Sequence, residues 1–209
     1  MDQSEFKYKT SFSFSIYATN DLENDLSISL ASLNNLRPLI PSSVDLEKNI
    51  DLVGVAFNAA VVNKFNKNGD GINSETADEI LKYFVYKPTN IEHKKEKVVG
   101  HIVNAGFTDL NNDKILTSKE ATSRKNPYYI SLAAVVYKTV NPEFANALIQ
   151  ASDPESEAYN KISASWELGF NDYHIAVGST DLEQARKITE PNEIEGMKKY
   201  LKSFGGSGK

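Results

Sequence analysis

The chain contains no cysteine. Disulfide bridges, thiol nucleophiles and Cys-based zinc sites are excluded together, and the composition fits a reducing compartment. Histidine is scarce as well: His93, His101 and His174 are the only three. Any chemistry that uses an imidazole at neutral pH must choose among them. The longest apolar runs are of the size of Leu132–Tyr137, far below the roughly 18 residues that a membrane span needs. The opening MDQSEFKYK lacks a basic start followed by an apolar stretch, so no signal peptide is expected. Positive charge is not in excess. Lys and Arg number 23 against 28 Asp and Glu, a net charge of −5, and no basic surface advertises nucleic acid. These absences predict a soluble protein made in a cytoplasm, with neither nucleic acid nor a membrane as partner.

What is present is enough for a real core. The 209 residues are 40% apolar and include ten Tyr and ten Phe, which fits one domain with a tail. The clearest pattern is Lys161–Phe170. Ile162, Ala164, Trp166, Leu168 and Phe170 are apolar, and Ser163, Ser165, Glu167 and Gly169 between them are small or polar. A period of two marks a strand with one buried face. Two hydroxyls and a carboxylate then stand in a row on the open face. Phe6 to Ile16 alternates in the same way and predicts a second such strand.

Asp51–Lys64 reads as a buried strand or hairpin, followed by a strong turn at Asn66–Gly71. Ser74 is expected to cap a helix that carries Ile80, Leu81 and Phe84 and ends at Pro88. Val98–Val103 predicts a strand, Asp109–Lys125 a polar excursion, and Tyr128–Thr139 a central strand. Asn141-Pro142 opens a further helix. Asp181–Ile188 and Asn192–Phe204 read as helical. The expected class is α+β on a mainly antiparallel sheet or barrel. Residues 1–178 form the main domain, and 179–209 form a helical C-terminal segment with a Gly/Ser tail.

A serine hydroxyl needs a neighbouring base, and histidine is the usual one. His101 lies within an apolar strand pattern. His174 follows the serine strand and is placed to orient another group. His93 opens a polar segment at an expected sheet edge, where a base should be. Strand parity orients Ser163 and Ser165 equally well.

Asn68-Gly69-Asp70, then Lys87-Pro88-Thr89-Asn90-Ile91-Glu92-His93, then Val99-Gly100-His101-Ile102 form an ordered set. With Ser165-Trp166-Glu167-Leu168-Gly169-Phe170-Asn171-Asp172-Tyr173, the set resembles the prohead maturation proteases of tailed bacteriophages. The likeness runs roughly from Asp51 to Gly178. It implies a fold related to the herpesvirus assembly protease and a serine endopeptidase with Ser165 as nucleophile and His93 as base. The third member stays open: Glu167 shares the face of Ser165, and His174 and His101 are alternatives because herpesvirus relatives use a second histidine. Where the family carries a smaller apolar residue such as Met, this chain has Trp166. The implied substrates are the scaffold or core protein and the major capsid protein, inside the assembling prohead in the host cytoplasm. No cofactor is required, and self-association is left open. Such proteases often cut after apolar-x-Glu, which makes Ile188-Thr189-Glu190 a candidate autocleavage site.

Asp109–Glu120 carries a rival signal. Asp109, Asn111, Asp113, the Ile115 carbonyl and Glu120 sit at the spacing of an EF-hand calcium loop, with Lys114 where Gly normally turns the chain. The alternative readings are therefore a calcium-binding α+β protein and a catalytically inactive structural protein of the capsid that keeps the protease fold.

Overall fold

A computed structural model describes residues 6–15, 36–46, 48–66, 68–151, 153, 155–159 and 161–206; at 13–15 only the backbone is described. The strands expected at 6–16, 51–64 and 128–139 form, as β1 (Tyr8–Ser15), β2 (Leu52–Val62) and β6 (Tyr128–Tyr137). The stretch 51–64 is one strand rather than a hairpin. The remaining elements are α1 (Ser74–Leu81), β3 (Pro88–Asn90), β4 (Val98–Thr108), β5 (Ile115–Leu116) and α2 (Ser118–Thr122). They are followed by α3 (Pro142–Ala151), β7 (Ser163–Phe170), β8 (Ile175–Val177), β9 (Arg186–Ile188) and α4 (Pro191–Lys198). The sequence from Asn20 to Lys48, broken by Pro38 and Pro41, predicts short elements and loop, and as far as residue 35 it lies outside the described residues. Asp153-Pro154 repeats the cap-and-proline device of Asn141-Pro142 just before the serine strand, and Pro154 lies outside the described residues too.

The main sheet has the order β2-β6-β4-β3, with β5 also paired to β4, and every ladder in it is antiparallel. Among the described residues, β1 pairs only with β7, and β8 with β9. The architecture is α+β, but the expected alternative of a barrel is not met. Among the described residues neither β2 nor β3 gains a second ladder partner, and β1 leaves the main sheet for β7. The strands therefore cannot close.

β6 is central, as its near-continuous apolar run requires. Its even residues, Tyr128 to Ala134, join the largest core cluster, on which Trp166 and Leu168 of β7 also pack. Its odd face carries Ala133 under Leu36 and Leu39. Directly opposed residues share a face. The β1–β7 ribbon therefore covers the even face, and the 36–46 segment covers the odd one. A buried polar row crosses the odd face: Asn58, Ser131, Thr108 and Asn112 are linked by contacts of 2.7 Å.

Two helix boundaries differ from expectation. Asn73, not Ser74, is the N-cap of α1, its side chain accepting from the Thr76 N–H. The helix ends at Leu81, well before Pro88, and the chain then turns from Lys82 to Tyr86, where Tyr86 is left-handed (φ 67°). The polar excursion 109–125 contains β5 and α2, and α2 starts with a capping box of Thr117 and Glu120. Asp181–Ile188 is not a helix. Its second half is β9, with Ile188 opposite Ile175.

Candidate functional site

β7 presents its residues as the alternation predicts. Ser163, Ser165 and Glu167 are exposed, while Ala164, Trp166 and Leu168 are turned inward. The inward face is held by Trp166. Its indole stacks on Phe12 at 4.7 Å, meets Phe84 edge-on at 4.8 Å, and donates Nε1–H to the Ala59 carbonyl at 2.9 Å. Ala59 is free to accept because β2 bulges between Asn58 and Ala60, which takes one residue out of the ladder. β1 supports the ribbon from the side, with Ser13 opposite Ser165 and Ser11 opposite Glu167. Glu167 stands about 7 Å along the strand from Ser165, on the same face.

His93 lies on the tip of the β3–β4 hairpin, exposed. The tip is closed by Ile91 N–H to Lys97 O and by Lys94 N–H to Ile91 O. Glu92 and His93 are consecutive residues with left-handed backbones, φ 54° and 56°. That conformation is uncommon outside glycine, and such strain clusters at functional sites. Neither residue type advertises it in the sequence. Ile91, two residues before His93, packs on a cluster that includes Val136, Ala145 and Leu148. Ile162, one residue before Ser163, packs on the same cluster. Val136 and its partner Val53 belong to the even face, so the His93 hairpin and the start of β7 share one face and one end of the sheet.

The other two histidines lie elsewhere. His101 is opposite Val135, on the odd face, and its Nδ1 is 2.7 Å from the Tyr137 hydroxyl. The sheet separates it from β7. His174 is exposed in the turn after β7. The strand from Ser165 to Phe170 alone spans about 17 Å, so His174 lies beyond the far end of β7. Among the described residues, no hydrogen bond joins any histidine to Ser163, Ser165 or Glu167.

The Asp109–Glu120 loop is tied up in its own bonds. Asp109 Oδ1 accepts the Asp113 N–H at 2.8 Å and the Lys114 N–H at 3.3 Å. Glu120 gives one oxygen to the Lys114 ammonium and the other to the Thr117 N–H and hydroxyl. These bonds hold its carboxyl down at about 2, the ammonium acting most strongly. Lys114 thus supplies the positive charge that a metal would otherwise bring to the Glu120 carboxylate. The segment entering the loop is strand β4, not the helix of an EF-hand. Asn111, Asp113 and Ile115 are exposed. Among the described residues, no group of three or more His, Asp or Glu side chains is placed to hold a metal.

Glu190 is exposed as the N-cap residue of α4, with Pro191 at the first helical position. Ile188 of the same tripeptide is buried in β9. A cleft of about 480 Å³ lies between β8–β9 and α4, lined by Val177, Arg186, Ile188, Glu193, Gly196 and Met197. It contains none of the candidate catalytic side chains. Among the described residues, no helix is long and apolar enough to cross a membrane. No protein-family model, curated protein or solved structure matches the chain.

Proposed function

We propose that the chain is a serine endopeptidase in which Ser165 is the nucleophile, His93 the general base and Glu167 the group that orients the imidazole. The observation that carries this reading is the shared anchorage of Ile91 and Ile162. It supports a His93 hairpin and a serine strand that meet on one face of the sheet, the face opposite His101. The exposed row Ser163–Ser165–Glu167 and the strained backbone at His93 support it. In the reaction, Ser165 Oγ bonds to a peptide carbonyl carbon while its proton passes to the His93 imidazole. The tetrahedral intermediate expels the amine, which takes that proton, and water then hydrolyses the acyl-enzyme by the same route.

The likeness of the Lys87–His93 and Ser165–Tyr173 blocks to prohead maturation proteases supplies the substrate class. On this reading the chain cuts scaffold or core protein and capsid precursor within an assembling prohead, in the cytoplasm of the host.

The test is cleavage of a co-expressed scaffold protein, with circular dichroism to confirm folding of each variant. Ser165→Ala and His93→Ala each lower the rate on the order of 10⁴-fold or more, and Ser163→Ala leaves it near wild type. Loss in Ser163→Ala alone would move the nucleophile to Ser163. Cleavage unaffected in all three would refute the endopeptidase reading.

A further inference from the structure

The segment from Lys82 to Lys97 opposes the charge of the rest of the molecule. It holds five lysines (82, 87, 94, 95 and 97) against Glu92 and Glu96, a net +3; the remaining residues then carry −8 of the total of −5. All five lysines are exposed, and none forms an ion pair among the described residues. They flank both ends of β3, the outermost strand of the main sheet. Two tyrosines stand with them: Tyr83, with the Lys82 ammonium over its ring at 5.1 Å, and Tyr86, 83% exposed. Lysines on an edge strand commonly serve only to block aggregation. Here three of the five are on the hairpin tip rather than on the strand, next to His93.

A second observation comes from β3 itself. Among the described residues it is laddered on one side alone, to β4. Its outer edge therefore leaves main-chain groups unpaired, which suits the alternating donors and acceptors of an extended chain.

We propose that the β3 edge and the hairpin tip form a docking surface for an acidic stretch of polypeptide, laid along β3 toward His93. Naming that polypeptide the substrate rests on the endopeptidase reading; its acidic character does not. The lysines raise its local concentration and rate of encounter, the tyrosines give it apolar contact, and the open main-chain edge of β3 fixes its register.

The test separates binding from cleavage by using the full chain with Ser165→Ala. Fluorescence anisotropy is measured with labelled poly-glutamate, a neutral peptide of equal length and a single-stranded oligonucleotide, at low and high salt. Poly-glutamate binds, the neutral peptide does not, and high salt weakens the binding. Lys94→Glu, Lys95→Glu and Lys97→Glu together lower the affinity about tenfold, as expected for three exposed charge contacts. Lys138→Glu, Lys187→Glu and Lys202→Glu, exposed lysines elsewhere, leave it unchanged. Equal loss in both triple variants, or tighter binding of the oligonucleotide than of poly-glutamate, overturns the proposal. Neither result bears on whether the active chain cleaves scaffold, so the two readings fail separately.

Discussion

Trp166 is the side chain on which the position of β7 depends, and its removal is the most informative perturbation of the fold. Trp166→Ala loses the stack on Phe12, the edge contact with Phe84 and the bond to the Ala59 carbonyl. Truncating a buried tryptophan costs about 3–5 kcal/mol. Because Trp166 keeps some exposure, about 3 kcal/mol is expected. Trp166→Phe keeps a ring between Phe12 and Phe84 and loses only the Nε1–H donor, leaving the Ala59 carbonyl without its partner. That costs about 1 kcal/mol. Urea denaturation followed by far-UV circular dichroism separates the two. With a slope of about 2 kcal/mol/M, the midpoints fall by about 1.5 M and about 0.5 M respectively. Trp166 is the sole tryptophan, so its emission gives an independent midpoint for the wild type. If Trp166→Ala moves the midpoint by less than about 0.3 M, the ribbon is not anchored through this ring and the argument fails. If Trp166→Phe is as damaging as Trp166→Ala, the indole bond dominates and the ring contacts do not.

Three further outcomes follow from the packing and charge of the fold. A Cβ at Gly100 would drive into the Val135 carbonyl on the neighbouring strand, whereas one at Gly196 in α4 meets nothing within 4 Å. Gly100→Ala therefore abolishes soluble, folded protein, while Gly196→Ala gains up to about 1 kcal/mol in thermal unfolding. Ser131→Ala removes the donor to Asn58 Oδ1 and the contact with Thr108, which keeps its bond to Asn112, and urea titration should show a loss of about 1 kcal/mol. Glu120 is held at about 2 in the fold against about 4.3 when unfolded. Its contribution is therefore complete above about pH 4.3 and disappears as pH falls toward 2. Glu120→Gln should lower the melting temperature at pH 7 and converge with wild type near pH 2; an identical deficit at both would refute the assignment.

The strands that were legible are those whose side chains face two different media. β7 and the even face of β1 announce themselves through alternation, and β6 through a run buried on both sides. The three candidate histidines were also legible, because scarcity leaves so few. What sorts them is not local. His101 falls on the face away from β7 through its pairing with Val135, and Ile91 reaches the Ile162 cluster only in the folded chain. β9 is not legible locally, because Asp181–Ala185 has helical composition while the pairing with β8 is a long-range fact. The start of α2 carries a readable signal: Thr117-Ser118-Lys119-Glu120 is a capping box in sequence as well as in structure. The EF-hand spacing in that stretch is real, but the same Glu120 serves both patterns and the cap has taken it.

The C-terminal part of the chain is stitched in unevenly. Phe65 N–H bonds to Thr180 O and Leu182 N–H to Asn63 O, and β9 is laddered to β8. Beyond Ile188 the attachments thin out: α4 buries no residue, and Phe204 rests by its ring on Tyr8 and Tyr173. A cut at Glu190 would thus spare every one of those main-chain ties. What it would shed is a loosely seated cover, leaving an uncapped aromatic cluster at the end of the serine ribbon. The molecule has a natural perforation there, where trimming alters what the ribbon's end can touch without unravelling what holds it up.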